Sequence, residues 1–183
     1  MELINYSGLK SEDLENMVKS YMKDYENTMN NIITIDNTSL KWENLIQPLL
    51  DLDLKYLDMA KLQMKEFYPD ENIRETCNDL DTELSEFSIE QEMRKDYFQK
   101  FSYYFNNNFN NDELNLEQLK YLENTNDNYK DNGMYLDEEN YEKVKEIKKS
   151  LERLTNIFSL NLNKENTTFE FTLYYVCKPC QIF

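Results

Sequence analysis

The chain has 183 residues, with 20 Lys+Arg against 36 Asp+Glu, a formal net charge of −16, two glycines and no histidine. That length allows one domain with a sizeable core, and an apolar fraction of 40% with ten Phe and fourteen Tyr argues against wholesale disorder. The missing histidine excludes His-based acid–base chemistry, His-containing triads and His-ligated metals; the charge excludes phosphate-backbone or anionic-membrane binding, and Gly8 and Gly133 lie too far apart for a glycine-rich nucleotide loop.

The spacing of Leu14, Met17, Val18, Tyr21, Met22, Tyr25, Met29, Ile32 and Ile33 predicts a first helix, with Ser11 as its cap and Glu12 and Asp13 in its first turn. A second helix starts at Thr38 or Ser39 and carries Trp42, Leu45, Ile46, Leu49 and Leu50. Pro48 should break or kink it, because proline cannot donate to the preceding turn, and helix resumes through Leu54, Leu57 and Leu62 to Phe67. Pro69 suits the first turn of a third, long helix over roughly 70–105, marked by Ile73, Cys77, Leu80, Leu84, Phe87, Arg94, Phe98, Phe101 and Phe105. The Asn-rich run 106–112 reads as a loop. Leu116, Leu119, Leu122 and Tyr129 mark a fourth helix, which Gly133 should end in the left-handed conformation. Asp137 caps a fifth, with Tyr141, Val144, Ile147, Leu151, Leu154, Ile157 and Phe158 on one side. Lys143, Lys145, Lys148, Lys149 and Arg153 alternate there with Glu142, Glu146 and Glu152, as on a solvated face. TTFEFT, from Thr167 to Thr172, alternates as a short strand does.

The expected fold is therefore mostly α: an antiparallel helical domain with long helices and a short C-terminal extended segment. No apolar run is long enough to span a membrane, no signal or transit pattern opens the chain, and three cysteines suit a reducing cytoplasm.

Three stretches carry a resemblance: "WENLIQPL" at 42–49, "LDTELSEFSIEQEMRKDYF" from Leu80 to Phe98, and "NGMYLDEENYEKVKEIKKSLERLTNIFSLNLNKENTTFEFT" at 132–172. In order and spacing they resemble the N-terminal region of the thimet-oligopeptidase-like zinc metallopeptidases, the group that includes neurolysin and saccharolysin. The resemblance implies helices of one wall of a channel in which short peptides are cleaved. It also implies zinc chemistry further along the family's sequence, where H-E-x-x-H places two His on one helical face with a Glu as general base. None of that motif is present, so no catalytic, cofactor-binding or metal residue is assigned. Zinc is a cofactor of the intact family and not of this chain, and Glu83, Glu86, Glu90 and Glu92 receive no catalytic role.

Residues 1–172 thus form the expected helical N-terminal domain and 173–183 a divergent tail, where the similarity stops as after a frameshift or premature terminus. Cys177 and Cys180 have C-x-x-C spacing without the βαβ setting of a redox motif, and as a zinc half-site they would have only Cys77 to add. Cys180–Phe183 has the form of a prenylation signal without a polybasic segment. Three functional readings follow, in order: a truncated, non-catalytic module of a metallopeptidase; half of a split peptidase completed by a second chain carrying H-E-x-x-H; and a helical module that binds peptides or proteins. If the helices normally pack on a missing part, an apolar face should stand open.

Overall fold

In a computed structural model, residues 4–164 are described. They fold as α1 (Ser11–Ile33), α2 (Trp42–Leu45), α3 (Gln47–Lys55), a 3-10 segment (Leu57–Lys65), α4 (Glu71–Glu92), α5 (Lys95–Tyr103), α6 (Leu116–Asp131) and α7 (Glu138–Lys164). The mostly α expectation holds. The segment TTFEFT and the cysteines of the tail lie outside the described residues, as does the boundary expected at 172.

Several local signals act as read. Pro48 sits in the first turn of α3, where its missing N–H costs nothing, and the chain breaks between Leu45 and Gln47. Gly133 has φ +76°. Its N–H donates to Lys130 O at 3.0 Å while Met134 N–H donates to Tyr129 O at 3.0 Å, the paired bonds of a Schellman ending. Asp137 Oδ1 accepts from Asn140 N–H at 3.0 Å and opens α7.

Other signals are overruled. Lys10, not Ser11, occupies the cap position of α1, its carbonyl accepting from Leu14 N–H, and the Ser11 hydroxyl pairs with that of Thr76 on α4 at 2.8 Å. Asp36 caps only a short turn at Asn37–Ser39; the next helix waits until Trp42, whose N–H donates to Asp112 Oδ2 at 2.9 Å. The single helix expected over 70–105 is divided at Met93 and Arg94. Arg94 is extended there, its guanidinium grips both oxygens of Asp96 at 3.0 and 2.7 Å, and Asp96 Oδ1 accepts from Tyr97 N–H. The Met93 carbonyl at this break accepts the hydroxyl of Tyr141 from α7. The run 106–112 is no open loop: a π turn spans Tyr104–Asn108 and a 3-10 turn Phe109–Asn111. Phe101, Phe105 and Phe109 stack in sequence, with ring centroids 5.9 and 5.5 Å apart, and carry the coil through the Asn residues. Asn108 Nδ2 bonds the carbonyls of Asn37 and Leu40 and ties the turn to the segment before α2.

Three apolar clusters hold the helices, the smallest being Met93, Met134 and Tyr141 at the start of α7. Leu14 and Val18 of α1 meet Leu62, Ile73, Cys77 and Leu80; further along, Met29 and Ile32 meet Trp42, Leu45, Tyr97, Phe101, Tyr104 and Leu122. Ser11 faces Thr76 and Tyr25 faces Phe87, so α1 and α4 run in the same direction. Thr82, Glu86 and Glu90 meet Asn156, Arg153 and Lys149 in descending order, so α4 and α7 are antiparallel.

Candidate functional site

The carboxylates on α4 are spread over its surface and do not converge. Glu86 accepts from Arg153 at 3.0 Å and Glu90 from Lys149 at 2.7 Å. The Lys149 ammonium beside Glu90 holds its carboxyl below the usual range. Glu83 lines a small depression with Glu15, Lys19 and Asp79, and Glu92 borders a separate cleft. Three of the basic residues of α7 are likewise absorbed in pairs: Lys143 with Glu139, Lys149 with Glu90, Arg153 with Glu86.

Zinc is the metal the resemblance implies, and its usual ligands are His, Cys and carboxylates. The sequence holds no His. Among the described residues no three Cys, Asp or Glu side chains come close enough to share a metal ion. Cys77 is buried, its thiol donates to Lys61 O at 3.8 Å, and burial pushes its ionisation up rather than toward a ligating thiolate. This donor set does not fit zinc.

A cleft of about 290 Å³ opens where α1, α4, α5 and α6 converge. Its walls include Tyr25 from α1, Gln91 and Glu92 from α4, Tyr97 from α5, and Tyr121 and Tyr129 from α6. The Tyr97 hydroxyl donates to Leu45 O at 3.1 Å, which closes the cleft floor onto α2. Burial pushes the Tyr25 phenol up to about 12, with the Asp53 and Glu92 carboxylates adding to it. Burial raises Tyr97, Tyr121 and Tyr129 in the same direction. All four are therefore neutral hydroxyl donors at ordinary pH. Among the described residues, the hydroxyls of Tyr25 and Tyr129 donate to no protein acceptor. Gln91 is 8% exposed, and its carboxamide oxygen makes only a 3.5 Å contact with Arg94. Such a site can hold a polar or cationic group against aromatic walls, but it contains no nucleophile activated by a neighbouring base.

The sequence reading missed this cleft. Tyr97 and Tyr121 carry no local signal because the groups they meet, Leu45 and Trp42, lie far off in the chain. One signal was there: Tyr121, Thr125 and Asn128 of α6 and Asn132 just after it, which all line the cleft, recur at helical spacing.

No protein-family model matches the chain. Among curated proteins, it is 28% identical over 177 residues to the thimet-like oligopeptidase of Dictyostelium discoideum. It is 29% identical over 134 residues to saccharolysin of Saccharomyces cerevisiae. These similarities support a relationship to the thimet-oligopeptidase-like family. The first match covers 94% of this chain and 26% of the relative, the second 73% of this chain and 18% of the relative. The chain thus spans about a quarter of the length of one relative and less than a fifth of the other. No helix among the described residues is long and apolar enough to cross a membrane.

Proposed function

We propose that these 183 residues supply a helical, non-catalytic portion of a thimet-oligopeptidase-like zinc metallopeptidase acting on short peptides in the cytoplasm. The zinc centre comes from polypeptide outside this sequence, as in an enzyme assembled from two parts. One observation carries the reading: similarity extends over 94% of this chain but 26% of the relative, and within that span there is no His. The test is a purified preparation supplied with zinc and a quenched fluorogenic peptide of fewer than twenty residues. No turnover above buffer and no stoichiometric zinc are expected. Chelator-sensitive hydrolysis by the homogeneous chain would sink the proposal.

A second reading, peptide binding by the chain itself, is favoured by the four-tyrosine cleft. Trp42 is the single tryptophan and packs edge-on against Tyr121 at 5.6 Å, so its fluorescence reports on the cleft wall. A saturable change on titrating basic peptides supports that reading; a flat titration removes it.

A further inference from the structure

The cleft between α1, α4, α5 and α6 presents acceptors and aromatic faces, and no Lys or Arg is among its lining residues. Glu92 stands exposed at its edge and pairs with no cation among the described residues. Asp53 on α3 lies near enough for its charge to help raise both Tyr25 and Tyr121. Gln91 is more than nine-tenths buried, yet among the described residues its carboxamide makes one protein contact, the 3.5 Å approach of its oxygen to Arg94. A polar side chain buried to that degree ordinarily has its hydrogen bonds made. Arg94 cannot supply them, because its fork is spent elsewhere: Nε and Nη2 reach Asp96 at 3.0 and 2.7 Å, and Nη2 also reaches Asn30 at 3.0 Å. The hydroxyls of Tyr25 and Tyr129, neutral and without protein acceptors among the described residues, can accept as well as donate.

We infer that this cleft is a binding site for a single guanidinium group, carried by a small arginine-like molecule or by one arginine side chain of a peptide. The inference deepens the peptide-binding reading, on which its peptide form rests, by naming the side chain that enters. Size limits the occupant: about 290 Å³ is the small end of the range for ligand pockets, enough for one side chain and not for a length of peptide. Charge selects a cation, since the edge carries Glu92 and the whole chain has a net charge of −16. Shape selects guanidinium over ammonium. A flat guanidinium lies against a tyrosine face, and it sheds water more readily than an ammonium does. Its five donors spread in a plane and suit acceptors that are set apart, here the Glu92 carboxylate, the Gln91 oxygen and the hydroxyl oxygens of Tyr25 and Tyr129.

The experiment is calorimetric titration of the purified full chain at physiological salt with methylguanidinium and with short blocked peptides that carry one central arginine, lysine or citrulline. Saturable binding of one equivalent of methylguanidinium and of the arginine peptide is expected, with lysine about tenfold weaker and the uncharged citrulline inert. Glu92→Gln, at an exposed and unpaired position, should keep the fold and weaken binding about threefold to fivefold. Tyr121→Leu removes an exposed ring from the wall and should weaken it by a similar factor, an independent reading should the first variant fail to fold. Glu71→Gln removes the same charge about 30 Å away at the other end of α4, several screening lengths off, and should change nothing. Methylguanidinium binding that the cleft variants weaken, without binding of the arginine peptide, upholds the site and removes the peptide reading. Arginine-peptide binding that Glu92→Gln and Tyr121→Leu leave unchanged keeps the peptide reading and overturns the site. Equal losses at Glu71 and Glu92, lysine binding as tightly as arginine, or no saturable binding of either guanidinium compound also overturns it.

Discussion

Replacing Gly133 by alanine tests how the α6–α7 turn fixes the direction in which α7 leaves the bundle. Two effects add. The residue sits at φ +76°, where a Cβ crowds the following carbonyl and costs about 1–2 kcal/mol. That Cβ would also lie 2.9 Å from Leu136 Cδ1 and 3.4 Å from Val144 Cγ2. Leu136 is half exposed and meets the new atom with the end of its side chain, so it can turn aside for about 0.5–1.5 kcal/mol of rotamer strain. Against this, alanine restricts the unfolded chain and returns about 0.4–1 kcal/mol. The net expectation is a loss of about 1–2.5 kcal/mol, or roughly 3–8 °C in Tm for a domain of this size. Gly8 provides the control: φ is +65° there too, but nothing lies within 4 Å of a built Cβ. Gly8→Ala should therefore show the backbone effect alone, about 1 kcal/mol or less. Urea unfolding followed by circular dichroism at 222 nm measures both. Equal losses at the two sites would refute the close approach of Leu136 and Val144. A Gly133→Ala chain as stable as the parent would refute the left-handed cap itself.

Phe101 is fully buried and meets Phe105 and Tyr129, so Phe101→Ala should cost about 3–5 kcal/mol by urea unfolding; a loss under 1 kcal/mol would mean that the cluster is not core. Burial raises Tyr25 to about 12, and Tyr97 and Tyr129 also lie above the ordinary phenol value. These groups ionise first in the unfolded chain, so their stabilisation is complete below about pH 10 and is lost as pH rises through 12. Tyrosinate absorbance at 295 nm should lag and then rise together with loss of helical dichroism; complete ionisation with helices intact would refute the buried positions. At the acid end the order reverses. Glu90 and Asp96 are held low by Lys149 and Arg94, so what they contribute is present above about pH 4 and lost as pH falls through their folded values. Amide exchange in α7 should accelerate there, and Glu90→Gln should make it accelerate less. Lys149→Ala with Arg153→Ala removes two partly exposed pairs worth about 0.2–1 kcal/mol each. Global stability should fall by less than about 2 kcal/mol while exchange beyond Val144 rises markedly; unchanged exchange would mean that other contacts hold α7.

What could be read from sequence was what a few neighbouring residues decide. Pro48 breaks its helix, Gly133 ends one and Asp137 starts one, each through bonds that close within five residues. The division at Met93 and Arg94 was hidden because the apolar stripe continues across it in phase. Only the Arg94 grip on Asp96, and the hydroxyl of Tyr141 from 48 positions away, make an interruption there acceptable. The Asn run misled in the opposite sense. Polar composition suggested a loop, while Phe101, Phe105 and Phe109 at steps of four preserved a helical coil whose freed backbone groups the Asn side chains help satisfy. The cleft was invisible for a different reason: Tyr25 and Tyr129 meet at one site only after four helices have packed.

α7 shows where periodicity stops being informative. The stripe from Ile147 to Phe158 was plain in the sequence, and the usual inference from such a stripe is that it faces the core. In the fold it faces out, because the opposite side carries Lys149 and Arg153 in register with Glu90 and Glu86, and α4 offers those acids where an apolar ridge would otherwise be needed. The two ion pairs are weak individually, so they orient the helix more than they stabilise it. Ile147, Leu151, Leu154 and Phe158 are left exposed within a wedge of about 60°, while Ile157 sits beside Asn78 and Thr82 of α4.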